Sequence, residues 1–350
     1  MMKVLYIYAG KRKHLESGSD EPRTQFYGLF TLKKLGFDVT YKEFEDVYPA
    51  FLAKILPFNI RHMLMYFPAR NYDIVFGSAL LPMMFIRSLF RDTTKCILLN
   101  ISLTRLIASQ KEGSFKKKLI TFALRKLDGI VCLSKTQCDY LKNHTQFPTD
   151  KLHVVPLGVD TSFYTKGDGS YQNVILSVGR DNGRDYKTVC RVAEKMPERK
   201  FVIVCSRRNV HGFVIPSNVH IIYDASHSEL RELYRHAQLL LLLTHGSGYN
   251  DGADCSGQTV LLEAMATGLP AIISHNPCLC EYVSQGKDAL VVPPYDVDMV
   301  IQKIKQLDNE TKRNELSRAA ERTIVTRYSE SRMAEKLASL FQSIVTVSKL

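Results

Sequence analysis

The 350-residue sequence predicts an α/β protein built from two doubly wound, Rossmann-like domains, each a parallel sheet flanked by helices. Two observations carry this. Short β-branched and aliphatic runs recur along the chain, and each is followed by a stretch of helical period, as in parallel strands joined by crossover helices. At roughly 150 residues per domain the length suits two domains. The 45% apolar and 23% charged content is that of a folded chain, which sets disorder aside.

In the first half, strands are expected at Val4–Ala9, Asp38–Tyr41, Asp73–Gly77, Cys96–Ile101, Gly129–Leu133 and Leu152–Pro156. In the second they are expected at Asn173–Val178, Lys200–Cys205, Val219–Tyr223, Leu239–Leu243, Ala271–Ser274 and Ala289–Val292. Leu239–Leu243 is the longest aliphatic block, and it suits a buried strand, since a bilayer span needs about 18 apolar residues or more. Among the helices, Ser226-His227-Ser228-Glu229 is a capping-box pattern, and Pro294–Asp296 leads into Val297–Leu307. Two further helical stretches, Glu310–Arg327 and Glu330–Val347, follow the last strand. The polar, glycine-rich Gly167-Asp168-Gly169-Ser170 marks the junction. The expected domains are 1–165 and 166–328, with a terminal helix at 329–350 packing back across the junction.

The net charge of +12 is uneven: residues 1–165 carry 24 Lys and Arg against 14 Asp and Glu, and residues 166–350 carry 23 against 21. Residues 51–126 alone hold 13 basic and 3 acidic residues, interleaved with bulky apolar ones in Phe51–Leu56, Arg61–Phe67 and Met84–Arg91. Cationic and apolar character in the same short segments suits docking on an anionic membrane surface. A plain solvated basic face is the alternative. Nucleic acid is disfavoured, because no zinc-finger spacing, no RNA-recognition aromatic motif and no long basic run beyond Lys116-Lys117-Lys118 is present.

The eight cysteines form no C-x-x-C pair and several sit in apolar strands, so reduced thiols are expected. Cys278-Leu279-Cys280 has no second pair or histidine cluster at zinc spacing, and no metal or other cofactor is expected. The opening Met1–Tyr8 turns polar at Gly10-Lys11-Arg12-Lys13 without a signal-peptide apolar region, so a cytoplasmic location is expected, peripheral to the inner membrane face if the basic segments dock there.

Open α/β sheets bind ligands beyond the carboxyl ends of their strands, and the two sheets are expected to face each other across a cleft. Neither G-x-G-x-x-G nor a Walker loop occurs in the sequence. After Val174–Val178 comes Gly179-Arg180-Asp181-Asn182-Gly183-Arg184-Asp185-Tyr186-Lys187, which puts Arg180 in the loop and Lys187 in the first helical turn. Both can aim at one anion at the helix start, where backbone amides add to the attraction. After Leu239–Leu243 a polar loop runs from Thr244 to Gly257 and enters a helix at Gln258. Gly257 allows a ligand close to the backbone, and the amides of Gln258 and Thr259 open the helix. Glu263 shares a face with Thr259 among Leu, Ala and Met, where a carboxylate needs a ligand hydroxyl or a basic group to meet it.

Gly179-Arg180 with Lys187, Ser256–Pro270, Glu281-Tyr282-Val283 and Ala289–Pro293 resemble, in order and spacing, the family 4 retaining glycosyltransferases of the GT-B fold. Asp128–Ser134 and Val154–Asp160 resemble that family near its domain junction, and residues 1–127 resemble it least. The resemblance implies transfer of a sugar from a nucleoside-diphosphate sugar to a glycan or lipid-linked acceptor in surface polysaccharide synthesis. By the same likeness, Arg180 and Lys187 hold the diphosphate and act in catalysis, and Glu263 meets the ribose hydroxyls. Gly179, Ser256, Gly257, Gln258 and Thr259 face the sugar and phosphate, and the base sits near Cys205-Ser206 and Tyr223. The chain also departs from the family. Where relatives carry a first glutamate eight positions before the second, it has Cys255 beside Asp254. It lacks the histidine after the fourth strand, replaces paired glycines with Asn276-Pro277, and keeps the N-terminal glycine loop only as Ser17-Gly18-Ser19, which leaves Gly18 as the candidate there. A nucleotide-sugar epimerase on the same fold is disfavoured by the Gly257–Glu263 pattern. A non-catalytic, membrane-surface relative is the other alternative, motivated by Cys255 and the missing histidine.

Overall fold

The computed structural model describes residues 1–16, 20–167, 172–246 and 255–347. The chain divides into two compact units: Met1–Gly18, Gln25–Pro156 and Ser331–Leu350 form one, and Ser19–Thr24 with Leu157–Glu330 the other.

The first unit holds β1 (Lys3–Ile7), β2 (Asp38–Tyr41), β3 (Ile74–Gly77), β4 (Lys95–Asn100), β5 (Gly129–Cys132) and β6 (Leu152–Val154), in the order β2-β1-β3-β4-β5-β6. Every pairing is parallel. Val4–Ile7, Ile74–Gly77 and Gly129–Cys132 are buried throughout, as expected of strands covered on both faces. At the β1–β3 pairing Ile7 stands opposite Gly77, and a Cβ on Gly77 would lie 1.8 Å from the Ile7 carbonyl oxygen, so only glycine fits. One sheet face packs through Leu5, Val75, Leu98 and Ile130 against Met83, Ile107 and Leu124 of the connecting helices. The terminal helix, Glu330–Val347, brings Phe341 to Phe76 with ring centroids 5.5 Å apart. Its Ala334 lies 3.0 Å from where a Cβ on Gly28 would sit.

The second unit holds β7 (Val174–Val178), β8 (Lys200–Cys205), β9 (Val219–Tyr223), β10 (Leu239–Leu242), β11 (Ala271–Ser274) and β12 (Leu290–Val292), in the order β12-β11-β10-β7-β8-β9. The chain builds outward from β7 to β9 on one side, then returns to β10 on the other. The strand order therefore reverses between β7 and β10, the position at which such sheets bind ligands.

The division between units falls at Pro156–Leu157, ahead of the expected 165. The physical reason is the pairing of Val159, which forms a parallel bridge with Ser329, receives the Glu330 amide on its carbonyl and donates its own amide to Tyr328, both at 2.8 Å. Asp160 accepts the Arg23 amide at 2.9 Å and donates its own amide to Thr24 Oγ1 at 3.0 Å, which brings residues 20–24 into the second unit. The helix expected over Glu310–Arg327 is α-helical to Thr323 and continues as a π turn, Ile324–Tyr328.

Candidate active site

Two loops leave the carboxyl ends of β7 and β10 and are stitched together by their backbones. The Asp185 amide donates to the Leu243 carbonyl and the His245 amide to the Gly183 carbonyl, both at 3.0 Å, and Arg184 and Thr244 form an antiparallel bridge. This places Gly179, Gly183, Ser256 and Gly257 around one side chain, that of Arg184. Its Nε donates to the Val178 carbonyl at 3.0 Å and its Nη1 to Ser256 Oγ at 2.8 Å. A Cβ on Gly179 would stand 2.2 Å from Nε, and one on Gly257 would stand 3.1 Å from Nη1. Both glycines have positive φ, 146° and 104°. Their missing side chains therefore make room for a guanidinium as well as for a close backbone turn.

Arg184 is 7% exposed, and no carboxylate of the described residues lies within ion-pair distance of it. Burial pushes its pKa down, with Tyr186, Asp181 and Tyr234 acting in the opposite sense. An arginine nonetheless stays protonated. A buried cation without an anion is costly, and an anion placed beside it would offset that cost.

Gly257 caps the helix Gln258–Ala266 and, as glycine, supplies no side-chain oxygen to its first amides. Gln258 is 3% exposed with its Nε2 lacking a partner, and Thr244 Oγ1 is likewise buried and unpaired. Unmatched donors and a fixed cation thus gather where β7 and β10 diverge. Thr259 is exposed and Cys255 half-buried.

The expected pair of cations, Arg180 and Lys187, is exposed on the loop and helix that follow β7. Arg180 is exposed, and its Nη2 lies 3.5 Å from both Asp224 Oδ1 and the Ala225 carbonyl beyond β9. Lys187 is exposed in the first turn of Tyr186–Glu194 and pairs with no described residue. At the ends of β8 and β9, Cys205 and Tyr223 are register partners. Ser206 Oγ donates to Asn209 Oδ1 at 2.5 Å, and the Arg207 guanidinium covers the Tyr223 ring at 4.6 Å. Gly18 and Asp254 lie outside the described residues.

Glu263 requires a correction. It is 5% exposed, and its two carboxylate oxygens accept hydrogen bonds from Tyr164 at 2.9 Å and Tyr234 at 3.0 Å. Two phenol hydroxyls meet this carboxylate, partners that the sequence reading did not foresee. Burial raises its pKa to about 7, against the opposing pull of the two tyrosine bonds. Arg184 and the two tyrosines were missed from sequence. The one available signal for Arg184 was a second arginine, after Gly183, in the loop that also holds Arg180.

Among the described residues, no group of three or more His, Cys, Asp and Glu could hold a metal ion. None of their cysteines is in a disulfide.

Comparison with known proteins bears on the family and the fold. Residues 166–323 match the model for glycosyl transferases group 1, and residues 33–163 match that for Glycosyltransferase Family 4. The mannosylfructose-phosphate synthase of Agrobacterium fabrum is 22% identical over 265 residues, covering 66% of this chain and 57% of that protein. The chain thus spans little more than half the length of this relative. The sucrose-phosphate synthase of Thermosynechococcus elongatus superposes with a TM-score of 0.75 at 14% identity, covering 99% of this chain and all of that one, 100%. Alr3699/HepE of Anabaena, solved with UDP and glucose, superposes with a TM-score of 0.71 at 12% identity over 98% of this chain and 100% of its own. With both units matched by family models and the two-sheet fold shared with these neighbours, the chain belongs to the group 1 glycosyltransferases of the GT-B fold.

Proposed function

We propose that this protein transfers a sugar, with retention of configuration, from a nucleoside-diphosphate sugar to a glycan or lipid-linked acceptor in surface polysaccharide synthesis. The observation that carries the reading is Arg184, a buried cation with no carboxylate partner beneath the two glycine turns at the strand-order reversal. A diphosphate supplies the missing negative charge. The amides opening Gln258–Ala266 and the Gln258 Nε2 offer it donors. The ligands seen with Alr3699/HepE support a uridine diphosphate sugar as the first donor to test.

In the reaction the bond from the anomeric carbon to the diphosphate breaks, and the acceptor oxygen bonds to that carbon on the same face. The acceptor proton passes to the departing phosphate oxygen, so no strong protein base is needed. Arg180 and Lys187, exposed on the loop and helix after β7, supply the cations that follow the charge growing on the leaving group. Glu263 serves as a positioning residue, tying its helix to Tyr164 and Tyr234. The base lies at the ends of β8 and β9, by Ser206 and Tyr223.

The acceptor belongs to the first unit and is presented at an anionic membrane surface. Phe51 is 59% exposed, Ile55 70% and Phe115 76%, and all three stand among the lysines and arginines of residues 51–126. No helix among the described residues is long and apolar enough to cross a membrane.

The test is a thermal-shift series with UDP, GDP, ADP and NAD. A ligand at 100 times its Kd adds about 2.7 kcal/mol of stability. A shift with one nucleoside diphosphate alone supports the reading and names the base. No shift with any of the four removes it, and donor binding without turnover across a wide acceptor panel assigns the non-catalytic role instead.

A further inference from the structure

The first unit has a cavity of its own at the carboxyl ends of β1 and β2. Its volume is about 70 Å³, and its polar lining comes from Tyr8, Lys11, Lys42, Glu45, Arg61 and His62. Most of its carboxylate charge is already engaged. Glu43, also on the wall, accepts the Arg12 and Lys13 amides at 2.6 and 3.0 Å, and Glu45 pairs with Lys11 at 2.7 Å. Lys42 and Arg61 are in no ion pair with a described residue, and the Lys42 ammonium lies 5.7 Å from the Tyr72 ring centre.

Two buried polar atoms on this wall have no partner: Arg61 Nε and His62 Nδ1. They belong to consecutive residues of the helix Phe58–Leu64. Burial and the neighbouring Arg61 charge push the His62 pKa down to about 4, so its imidazole is neutral near pH 7. A charged guanidinium with an unmet buried N–H calls for an acceptor carrying negative charge, and the neutral imidazole adds a second donor in the tautomer that carries its proton on Nδ1. A phosphate group offers three or more oxygens, enough for Arg61, His62 and Lys42 together, where a carboxylate offers two.

The same helix shows what carries the group. Phe58, itself on the cavity wall, and Ile60 are exposed, as are Phe51 and Ile55 on the preceding helix Ala50–Ile55 and Phe67 just beyond. No acidic residue occurs between Phe51 and Tyr72. An apolar rim around a cationic cavity matches a phosphate at the boundary between lipid headgroups and acyl chains.

We propose that this cavity binds the phosphate group of a lipid-linked acceptor. The proposal rests on the acceptor half of the function above and is independent of the donor site. Binding of inorganic phosphate is measured by calorimetry for the wild type, Arg61→Gln, Arg61→Lys and His62→Ala. Partition onto phosphatidylcholine vesicles with and without phosphatidic acid is measured for the same proteins and for Lys33→Gln, which removes one charge from the helix Leu29–Lys34. The expected result is phosphate binding weakened about tenfold in Arg61→Gln and His62→Ala and kept in Arg61→Lys. Phosphatidic-acid partition should fall in parallel, while Lys33→Gln stays near wild type, and inorganic phosphate should compete with the vesicles.

Unchanged phosphate binding in Arg61→Gln and His62→Ala overturns the proposal, as does the absence of phosphate binding in the wild type. Phosphate binding that needs Arg61, with vesicle partition that does not, overturns the lipid source and leaves a free-phosphate site. The nucleoside-diphosphate thermal shift is recorded on every variant. Its retention in Arg61→Gln shows an intact fold, and its loss in the wild type would strike the donor reading instead.

Discussion

Replacing Arg184 with methionine separates a structural role from a ligand-directed one. The change removes two hydrogen bonds, to the Val178 carbonyl and Ser256 Oγ. Bonds from a charged donor are worth about 1.5–3 kcal/mol each. Against that loss stands relief of the burial penalty of a cation that has no carboxylate beside it, a cost of several kcal/mol. The two effects are similar in size, so the ligand-free protein should melt within a few degrees of the wild type. Diphosphate binding has no such compensation. Losing a desolvated charge opposite an anion costs about 2–4 kcal/mol, or roughly 30- to 1,000-fold in Kd. The assay is calorimetry with the nucleoside diphosphate that shifts the wild type, set beside the corresponding uncharged nucleoside. The expected pattern is a large loss for the diphosphate and little change for the nucleoside. Equal losses for both would mean that the pocket has collapsed, and a diphosphate Kd within about threefold of wild type would refute the argument that the site is built around this charge.

Other consequences can be checked separately. Arg180→Ala should lower kcat by ~100-fold, the scale of losing a donor that stabilises developing charge, and wild-type turnover in that variant would exclude Arg180 from catalysis. Glu263 has a folded-state pKa of about 7 against an ordinary 4.5, so folding takes up a proton between those values. Its contribution is therefore most favourable below about pH 4.5 and is lost as pH rises towards 7, by roughly 3 kcal/mol in all. Glu263→Gln should gain stability relative to wild type by that order between pH 5 and 8 in denaturant titrations, whereas parallel pH profiles would show that the carboxylate does not titrate there. Partition onto anionic phosphatidylserine vesicles should weaken as salt rises and fall further in Phe115→Asp, while a salt-independent signal would point to purely apolar adsorption.

Most strands among the described residues were legible because they are nearly continuous apolar runs, and such runs bury both faces in only a few ways. The ends of β1 and β6 were less so. Tyr8 continues the apolar character of β1 but turns its hydroxyl to the Phe26 carbonyl, a contact that local pattern cannot show. The same limit hid the groups around the site. Tyr164 and Tyr234 stand 99 and 29 residues from Glu263, so nothing local announces that they share its carboxylate. Arg184 reads as one more cation in a polar loop until the bridge to Thr244 turns it inward. Loop charges advertise a site; burial decides which of them is fixed.

The two units also differ in a way that explains the uneven charge. Outside β8 the second unit adds a third strand, β9, and links the two through the short turn Arg207–Val210. The first unit has no strand outside β2 among the described residues, and between β2 and β3 the chain forms the helices Ala50–Ile55, Phe58–Leu64 and Tyr66–Ala69. The added strand half-buries Val219, Ile221, Ile222 and Tyr223, whereas these helices leave Phe51, Ile55, Phe58 and Ile60 exposed, close in sequence to Lys54 and Arg61. An exposed apolar set of this kind is a liability in water unless a second phase or a partner covers it. In the function proposed above, its basic surroundings select an anionic surface. The second unit keeps its charge nearly balanced and buries the Arg184 guanidinium, while the first carries most of the excess, which on the function proposed above draws it to a charged interface.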